Sequence, residues 1–350
     1  MIAPDYTTVI PSTAIYHLTP STIFYLFSPV LFRLLKGYAR LAIKIYCRKI
    51  IINKPGFLKE NGPLLLASNH PNSFLDGIIM TTLFEQDVYS LARGDVFKKN
   101  SLNKLLRWLR LLPVYRTSEG VENLAHNYTT FASCLEVFRK KCVVLIFSEG
   151  WCENEWNLRP LKKGTARLAL TAWQQDIPLK IVPVGFNYSS FKSFGKDVHI
   201  YFGQSFSKET IQQNDTQGMK ILAFNNTLQK ELQDLVYEIE KKDLKKQQNY
   251  FPDNVSASKR MLLFLPALIG ILVHLPLFTV VKLYTHIQFK NSGHYDSVLT
   301  SLLMLLYPVY ILIISLWSAT YNLPVAIASL LFIPFTAWCL AQINYRLFPQ

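Results

Sequence analysis

"GPLLLASNHPNSFLD" (residues 62–76) holds the reading of the whole chain. Gly62-Pro63 marks a turn, and Leu64-Leu65-Leu66-Ala67 is a short uninterrupted apolar run. A run of that length next to turn residues reads as a strand buried on both faces, the kind found inside a parallel sheet. Asn69, His70 and Asp76 follow at once, with Pro71 and Ser73 between them. A histidine and an aspartate at the end of a buried strand either satisfy each other at the rim of the core or do chemistry there.

Outward from that strand the pattern repeats. "VYSLA" (88–92), "CVVLIF" (142–147), "LKIVPVGF" (179–186) and "DVHIYFG" (197–203) are further short apolar runs closed by turn residues or charges. Helical periodicity fills the intervals at about 74–84, 101–110, 121–140 and 164–175, and a charged helix is expected over about 208–246. Strands alternating with helices predict an α/β domain over 54–254, built on a mostly parallel sheet flanked by helices. "KKDLKKQQNYFPDN" (241–254) is polar and then turn-like, and reads as a linker.

The flanks are of another kind. In the N-terminal segment, 1–53, an apolar stretch leads to Arg33, Lys36, Arg40, Lys44 and Arg48, spaced three or four residues apart. On a helix they occupy one third of the wheel, with Leu34, Leu35, Tyr38, Leu41, Ala42 and Ile45 on the remainder. This predicts an amphipathic helix lying in a membrane interface, its cations toward lipid phosphates; the alternative is a solvated helix packed on the core. The C-terminal domain, 255–350, carries uncharged apolar stretches at 261–281, 298–320 and 323–343. About 20 such residues span a hydrocarbon core. The last two, joined at Tyr321-Asn322, predict a transmembrane hairpin, and the first either crosses or re-enters. Re-entry is favoured, because it keeps Lys282, Lys290 and Arg346 on the side of Lys245, Lys246, Lys259 and Arg260. The expectation is an integral membrane protein with its catalytic domain on the cytoplasmic side.

Composition agrees. The chain has 350 residues, half of them hydrophobic, and a formal net charge of +14. A basic, apolar-rich chain suits an anionic membrane surface or anionic substrates, and no nucleic-acid motif is present. Its five cysteines form no CxxC pair, which argues against a disulfide framework or a metal site and fits a reducing compartment.

The remaining motifs follow strands or helices in order: "ARGDVF" (92–97), "LLPVYR" (111–116), "FSEG" (147–150), "LRPLKKGTARLAL" (158–170) and "VPVGFNY" (182–188). The carboxyl ends of parallel strands gather on one edge, where sites form. His70, Asp76, Arg116, Glu149, Lys162 and Lys163 are expected to converge there. Taken together, the NH-x5-D, PVYR, F-x-EG and VPVG blocks resemble the glycerolipid acyltransferase family over roughly residues 20–210. The set is specific, while each block alone is weak. The resemblance implies His70 as general base, Asp76 as its orienting carboxylate, Arg116, Glu149 and Gly150 as binders of the acceptor's phosphate and glycerol portion, and Pro183 on the acyl side. It implies no cofactor, only acyl-CoA or acyl-carrier protein as co-substrate. Two positions depart from the commonest family pattern: five residues rather than four separate His70 from Asp76, and Ser148 stands where proline is usual.

The chemistry suits these residues. Acyl transfer from a thioester to an alcohol needs a base for the hydroxyl proton, and neutral imidazole fills that role near neutral pH. On one continuous helix the H-x5-D spacing would leave the pair about 120° apart; with Pro71 opening the helix and His70 preceding it, the two can meet. Arg159, Lys162 and Lys163 sit just before a helix start at Gly164-Thr165, a natural anion site; the same lysines also fit a solvated turn. Glu149, unsuited to touching phosphate, is expected to accept a glycerol hydroxyl or to orient a cation. The readings that result are a membrane-bound acyltransferase acting on glycerol-3-phosphate or its 1-acyl form, the same chemistry on another lysolipid, and a non-catalytic lipid-binding protein. A tethered serine hydrolase is excluded, since no G-x-S-x-G is present.

Overall fold

The computed structural model describes residues 20–115, 126–211 and 216–343. Among these, seven strands form one sheet in the order β1-β7-β6-β2-β5-β3-β4. The strands are β1 (Cys47–Ile52), β2 (Leu64–Ser68), β3 (Val88–Arg93), β4 (Leu111–Val114), β5 (Val143–Phe147), β6 (Lys180–Tyr188) and β7 (Lys196–Phe202). β6, β2, β5, β3 and β4 run parallel; β7 pairs antiparallel with β6, and β1 pairs parallel with β7. The sheet is therefore mostly parallel, as its continuous apolar strands require.

Side-chain alternation along β2 sorts the core into two layers. Leu64 and Leu66 point to the face covered by α1 (Pro20–Tyr46) and α2 (Phe74–Leu83), among Ile43, Leu75 and Ile79. Leu65 and Ala67 point to the opposite face, covered by α4 (His126–Arg139), α5 (Gly164–Gln174) and α6 (Gln217–Gln233), among Phe138, Leu168, Trp173 and Phe224. A short helix, α3 (Asn100–Trp108), stands before the edge strand β4.

Several elements differ from the sequence reading. The N-terminal helix stops at Tyr46 and the chain continues as β1, so residues given to the amphipathic segment join the sheet. "LLPV", not among the strands read from the sequence, is β4; it is only four residues long and carries Pro113, which an edge strand tolerates. The long charged helix is α6 alone, and the 241–254 stretch contains α7 (Leu244–Tyr250), the fully buried Phe251, and Asp253 paired with Arg48 and Arg260. That stretch is docked structure, not a free linker.

The cationic stripe of α1 is also redeployed. Arg40 Nε donates to the Thr82 carbonyl (2.6 Å) and so caps the carboxyl end of α2, while Lys36 Nζ donates to the Glu85 (3.3 Å) and Gln86 (3.0 Å) carbonyls of the turn that follows it. Arg48 lies in β1 in a buried pair with Asp197. Arg33 and Lys44 stay exposed. What α1 presents outward is mainly apolar: Val30, Leu31, Leu34 and Leu41 are all exposed.

Three helices long and apolar enough to cross a membrane end the described chain: α8 (Ala257–Phe289), α9 (Tyr295–Ala319) and α10 (Leu323–Ile343). α9 and α10 form an antiparallel hairpin tied by Ser315 and Ser329 (2.7 Å). α8 lies across it. Near its start Lys259 Nζ donates to Gln342 Oε1 at the end of α10 (2.8 Å), and near its end Val281 packs on Tyr295 and Leu299 at the start of α9. In between, Gly270 abuts Thr336, where a Cβ would stand 2.7 Å from the carbonyl oxygen, and His274 Nε2 meets the Tyr307 hydroxyl (2.8 Å). Both ends of α8 thus have contacts near the end of the hairpin that joins the α/β domain.

Candidate active site

The site grows from the register of β2 and β5. Ser68 pairs with Phe147, and His70 and Glu149 each stand two residues beyond that pair. The Asn69 side chain continues the ladder toward β6 as a substitute for backbone: Nδ2 donates to the Phe186 carbonyl (3.0 Å) and Oδ1 accepts from the Phe186 N–H (2.8 Å). Ser148 N–H donates to the Ser68 carbonyl (2.8 Å), a bond that proline at this position would forbid.

Pro71 does not open the helix, as the sequence suggested. α2 begins at Phe74, and Pro71-Asn72-Ser73 form a bend in which Ser73 takes the left-handed conformation (φ 53°). The bend lets His70 and Asp76 meet despite their spacing. His70 Nδ1 lies 2.9 Å from Asp76 Oδ2, which also accepts the Asn72 N–H (3.0 Å), while Asp76 Oδ1 accepts the Tyr188 hydroxyl (2.6 Å). Asp76 is fully buried. Burial, and then the Asp76 charge, push the Tyr188 phenol well above its ordinary pKa, so it stays a donor. The His70 ring stacks on Phe147 at 3.6 Å between centroids. With Nδ1 held by the carboxylate, Nε2 is the nitrogen left for a substrate.

Glu149 is buried and its oxygens are occupied. Oε2 accepts the His70 N–H (2.9 Å) and Arg159 Nη2 (2.8 Å); Oε1 accepts the Arg159 N–H (2.9 Å). Of the two roles expected for it, the geometry matches the orienting of a cation. Gly150 has φ 82°, and a Cβ there would stand 2.9 Å from Lys162 Cγ, so glycine is required on both counts. Lys162 and Lys163 line the same cleft as His70, beside the start of α5, and Lys162 Nζ also sits over the Trp151 ring (4.8 Å). Pro183 does not join them: it is buried in β6, opposite Ala67 of β2, and does not line the cleft. Arg116 lies outside the described residues.

Sequence reading missed a second ring of contacts, from the turn between α8 and α9. Asp296, at the start of α9, is fully buried; its Oδ2 accepts Asn72 Nδ2 (2.6 Å) and pairs with the fully buried Lys196, and its Oδ1 accepts the Tyr46 hydroxyl (2.6 Å). Ser297 Oγ donates to the Asn72 carbonyl (2.7 Å) and accepts the Leu75 N–H (3.2 Å). Ser73 Oγ lies 2.5 Å from His294 Nδ1. Four of these bonds link the apolar C-terminal helices to the His70 loop. The only signal in the sequence was "HYDS" (294–297), polar residues opening an apolar helix.

The cleft has a volume of about 2280 Å³. Its polar end holds His70, Ser73, Lys162 and Lys163. Its apolar arm runs between α1, α2, α3 and α9, past Phe32, Phe74, Ile78, Leu106, Val298 and Met304. Cys152 also lines it, but burial pushes its thiol up to about 12, and its sulfur accepts the Ser73 N–H (2.9 Å). It is no thiolate nucleophile. Among the described residues no cluster of His, Cys, Asp or Glu is arranged to hold a metal ion.

Residues 49–187 match the family model described as Acyltransferase. That stretch is similar to the acyltransferase family. The matched region holds the H-x5-D loop, the FSEG turn and the VPVG strand, so the paired His70 and Asp76 lie within the part of the chain that carries the family likeness. Among solved structures, the chain is similar to the crystal structure of the 1-acyl-sn-glycerophosphate (LPA) acyltransferase PlsC from Thermotoga maritima, with 11% identity and a TM-score of 0.40 over 63% of this chain and 92% of that one. Comparison with curated proteins returned no match. α8, α9 and α10 lie beyond the region that the acyltransferase family model matches.

Proposed function

We propose that this chain is an acyltransferase that moves a fatty acyl group from a thioester, acyl-CoA or acyl-carrier protein, to a hydroxyl of glycerol-3-phosphate or its 1-acyl form, in phosphatidate synthesis at a membrane. The observation that carries the reading is the His70–Asp76 pair, placed where a cationic rim meets an apolar arm of the same cleft. A phosphorylated head and an acyl chain need those two environments side by side.

In this reaction the acceptor oxygen attacks the thioester carbonyl carbon while His70 Nε2 takes the hydroxyl proton. Asp76 stays ionised, holding the Nδ1–H tautomer and stabilising the imidazolium. The tetrahedral intermediate collapses, the C–S bond breaks, and the leaving thiolate takes the proton from His70. The rim of Lys162, Lys163 and the α5 N-terminus suits the acceptor's phosphate, with Arg116 as a forked donor. Glu149 acts one step back, orienting Arg159 and fixing the His70 backbone. The apolar arm suits the acyl chain, and its wall on α9 lets product pass sideways into a bilayer. Both ends of α8 on the side of the α/β domain, with Lys282 and Lys290 there, support a cytoplasmic catalytic domain under the positive-inside rule.

The test is acyl transfer by the purified chain in lipid nanodiscs, with labelled acyl-CoA or acyl-carrier protein and each acceptor in turn. Labelled lysophosphatidate or phosphatidate is the expected product. Free fatty acid alone, or no product from either acceptor with both donors, would refute the reading.

A further inference from the structure

Among the described residues, α3 is the most lopsided helix. None of its residues is buried, yet Leu102, Leu105, Leu106 and Leu109 fall on one side of it, and Leu105 is 49% exposed. Val96, on the turn before it, is exposed as well. The flank carries Lys98, Lys99, Lys104 and Arg107, all exposed, with no acidic residue from 98 to 110. A helix in water gains nothing from such an arrangement. One lying in a lipid headgroup layer gains from both halves, apolar side chains inserted and cations among phosphates.

Its place in the fold points the same way. Trp108 Nε1 donates to Ser28 Oγ (2.6 Å) and the Trp108 ring packs edge-on against Phe32 (6.1 Å), so α3 ends against the N-terminal half of α1. Further along α1, the Tyr38 hydroxyl donates to the Met304 carbonyl of α9 (2.5 Å). The exposed apolar residues of α3 are thereby continuous with Val30, Leu31 and Leu34 of α1, and α1 with the apolar surface of α9. Leu102 and Leu106 of α3 and Phe32 and Leu35 of α1 line the two sides of the cleft.

We propose that α3 is a second interfacial helix, docking on an anionic bilayer surface beside α1, so that the apolar arm of the cleft opens between the two helices at the lipid–water boundary. The proposal rests on the reading that α8, α9 and α10 lie in a bilayer. Charge decides the occupant: four exposed cations without an acid among them suit a surface of anionic phospholipid headgroups.

The experiment places one added tryptophan at a time in the full chain, reconstituted in nanodiscs of phosphatidylcholine and phosphatidylglycerol with or without brominated acyl chains. Each signal is the difference from the parent, whose six tryptophans form the background. Leu105→Trp reports on α3, Leu305→Trp on the exposed surface of α9, and Leu222→Trp on α6, across the sheet from α1. The expected result is that brominated lipid removes most of the added emission at 105 and 305 and leaves that at 222 unchanged. Quenching at 305 without quenching at 105 overturns the proposal and leaves the membrane reading standing; a protein partner on α3 would give this result. No quenching at 305 overturns both. In a second arm, Lys98, Lys99, Lys104 and Arg107 are replaced together by Gln in the Leu105→Trp chain. Reduced quenching supports the anionic surface, and quenching unchanged in discs of phosphatidylcholine alone overturns that part.

Discussion

Asp296→Ala removes, among the described residues, the carboxylate that joins the C-terminal helices to the His70 loop. Asp296 and Lys196 are both fully buried, and the carboxylate also receives Asn72 Nδ2 and the Tyr46 hydroxyl. Deleting one partner of such a pair leaves an uncompensated buried charge, at a cost of about 3–5 kcal/mol. Replacing Lys196 by Met in the same chain removes that charge, so the double variant should recover about half of the loss, the orphaned Asn72 and Tyr46 donors accounting for the rest at about 1–3 kcal/mol each. Thermal unfolding of the four proteins of this double-mutant cycle in one detergent gives the coupling. Activity reads the second consequence. Asn72 passes from Asp296 Oδ2 to Asp76 Oδ2, which holds His70, so Asp296→Ala should lower kcat more than it raises KM. A stability loss under about 1 kcal/mol, or no coupling between positions 196 and 296, would refute the buried-pair reasoning.

Glu149→Gln keeps the shape but removes the counter-charge of Arg159, whose Nη2 still donates to the Trp151 carbonyl (2.5 Å); a loss of up to about 3 kcal/mol in detergent unfolding is expected, and an unchanged Tm would contradict the assigned contacts. Burial holds the His199 imidazole down to about 4, against an ordinary 6.5. The unfolded chain therefore binds a proton there that the folded chain refuses, and stability should fall as pH drops from 6.5 toward 4, by up to about 3 kcal/mol. His199→Gln should flatten that part of the stability–pH curve, and an unaltered slope would remove the assignment. Cys152 lines the cleft with its thiol pushed up to about 12. It should resist iodoacetamide at pH 7.5, and Cys152→Ser should keep most of the activity; rapid alkylation would show a thiolate that the structure does not.

Much of the site could be read because its parts are local. A buried apolar strand followed by His70 and Asp76, and another followed by Glu149, places three side chains on one sheet edge once the strands are taken as parallel neighbours. The β2–β5 register then sets His70 beside Glu149. The roles of Tyr188 and Asp296 were not legible, because each reaches the loop from far along the chain and neither "VPVGFNY" nor "HYDS" says which group it will meet. The same holds for Lys36 and Arg40, whose helical spacing predicts a cationic face but cannot tell lipid phosphates from the carbonyls at the end of α2 and in the turn after it. β1 and β4 escaped for local reasons. β1 begins "CRKIII" directly after a helix, so its basic residues extend the helical pattern, and β4 is short and contains proline. Pro183 marks a motif by its neighbours, yet its ring is buried in the sheet away from the cleft.

The central claim is that His70 is the base that activates the acceptor hydroxyl. Its most direct test is the rate of labelled acyl transfer by His70→Ala and Asp76→Asn beside the parent chain, in the same nanodiscs, with each variant shown to be folded. General-base catalysis is commonly worth about 10²–10⁴-fold. A loss in that range or beyond is expected for His70→Ala, in kcat rather than KM, and a smaller but clear loss for Asp76→Asn. Undiminished transfer by folded His70→Ala would contradict it.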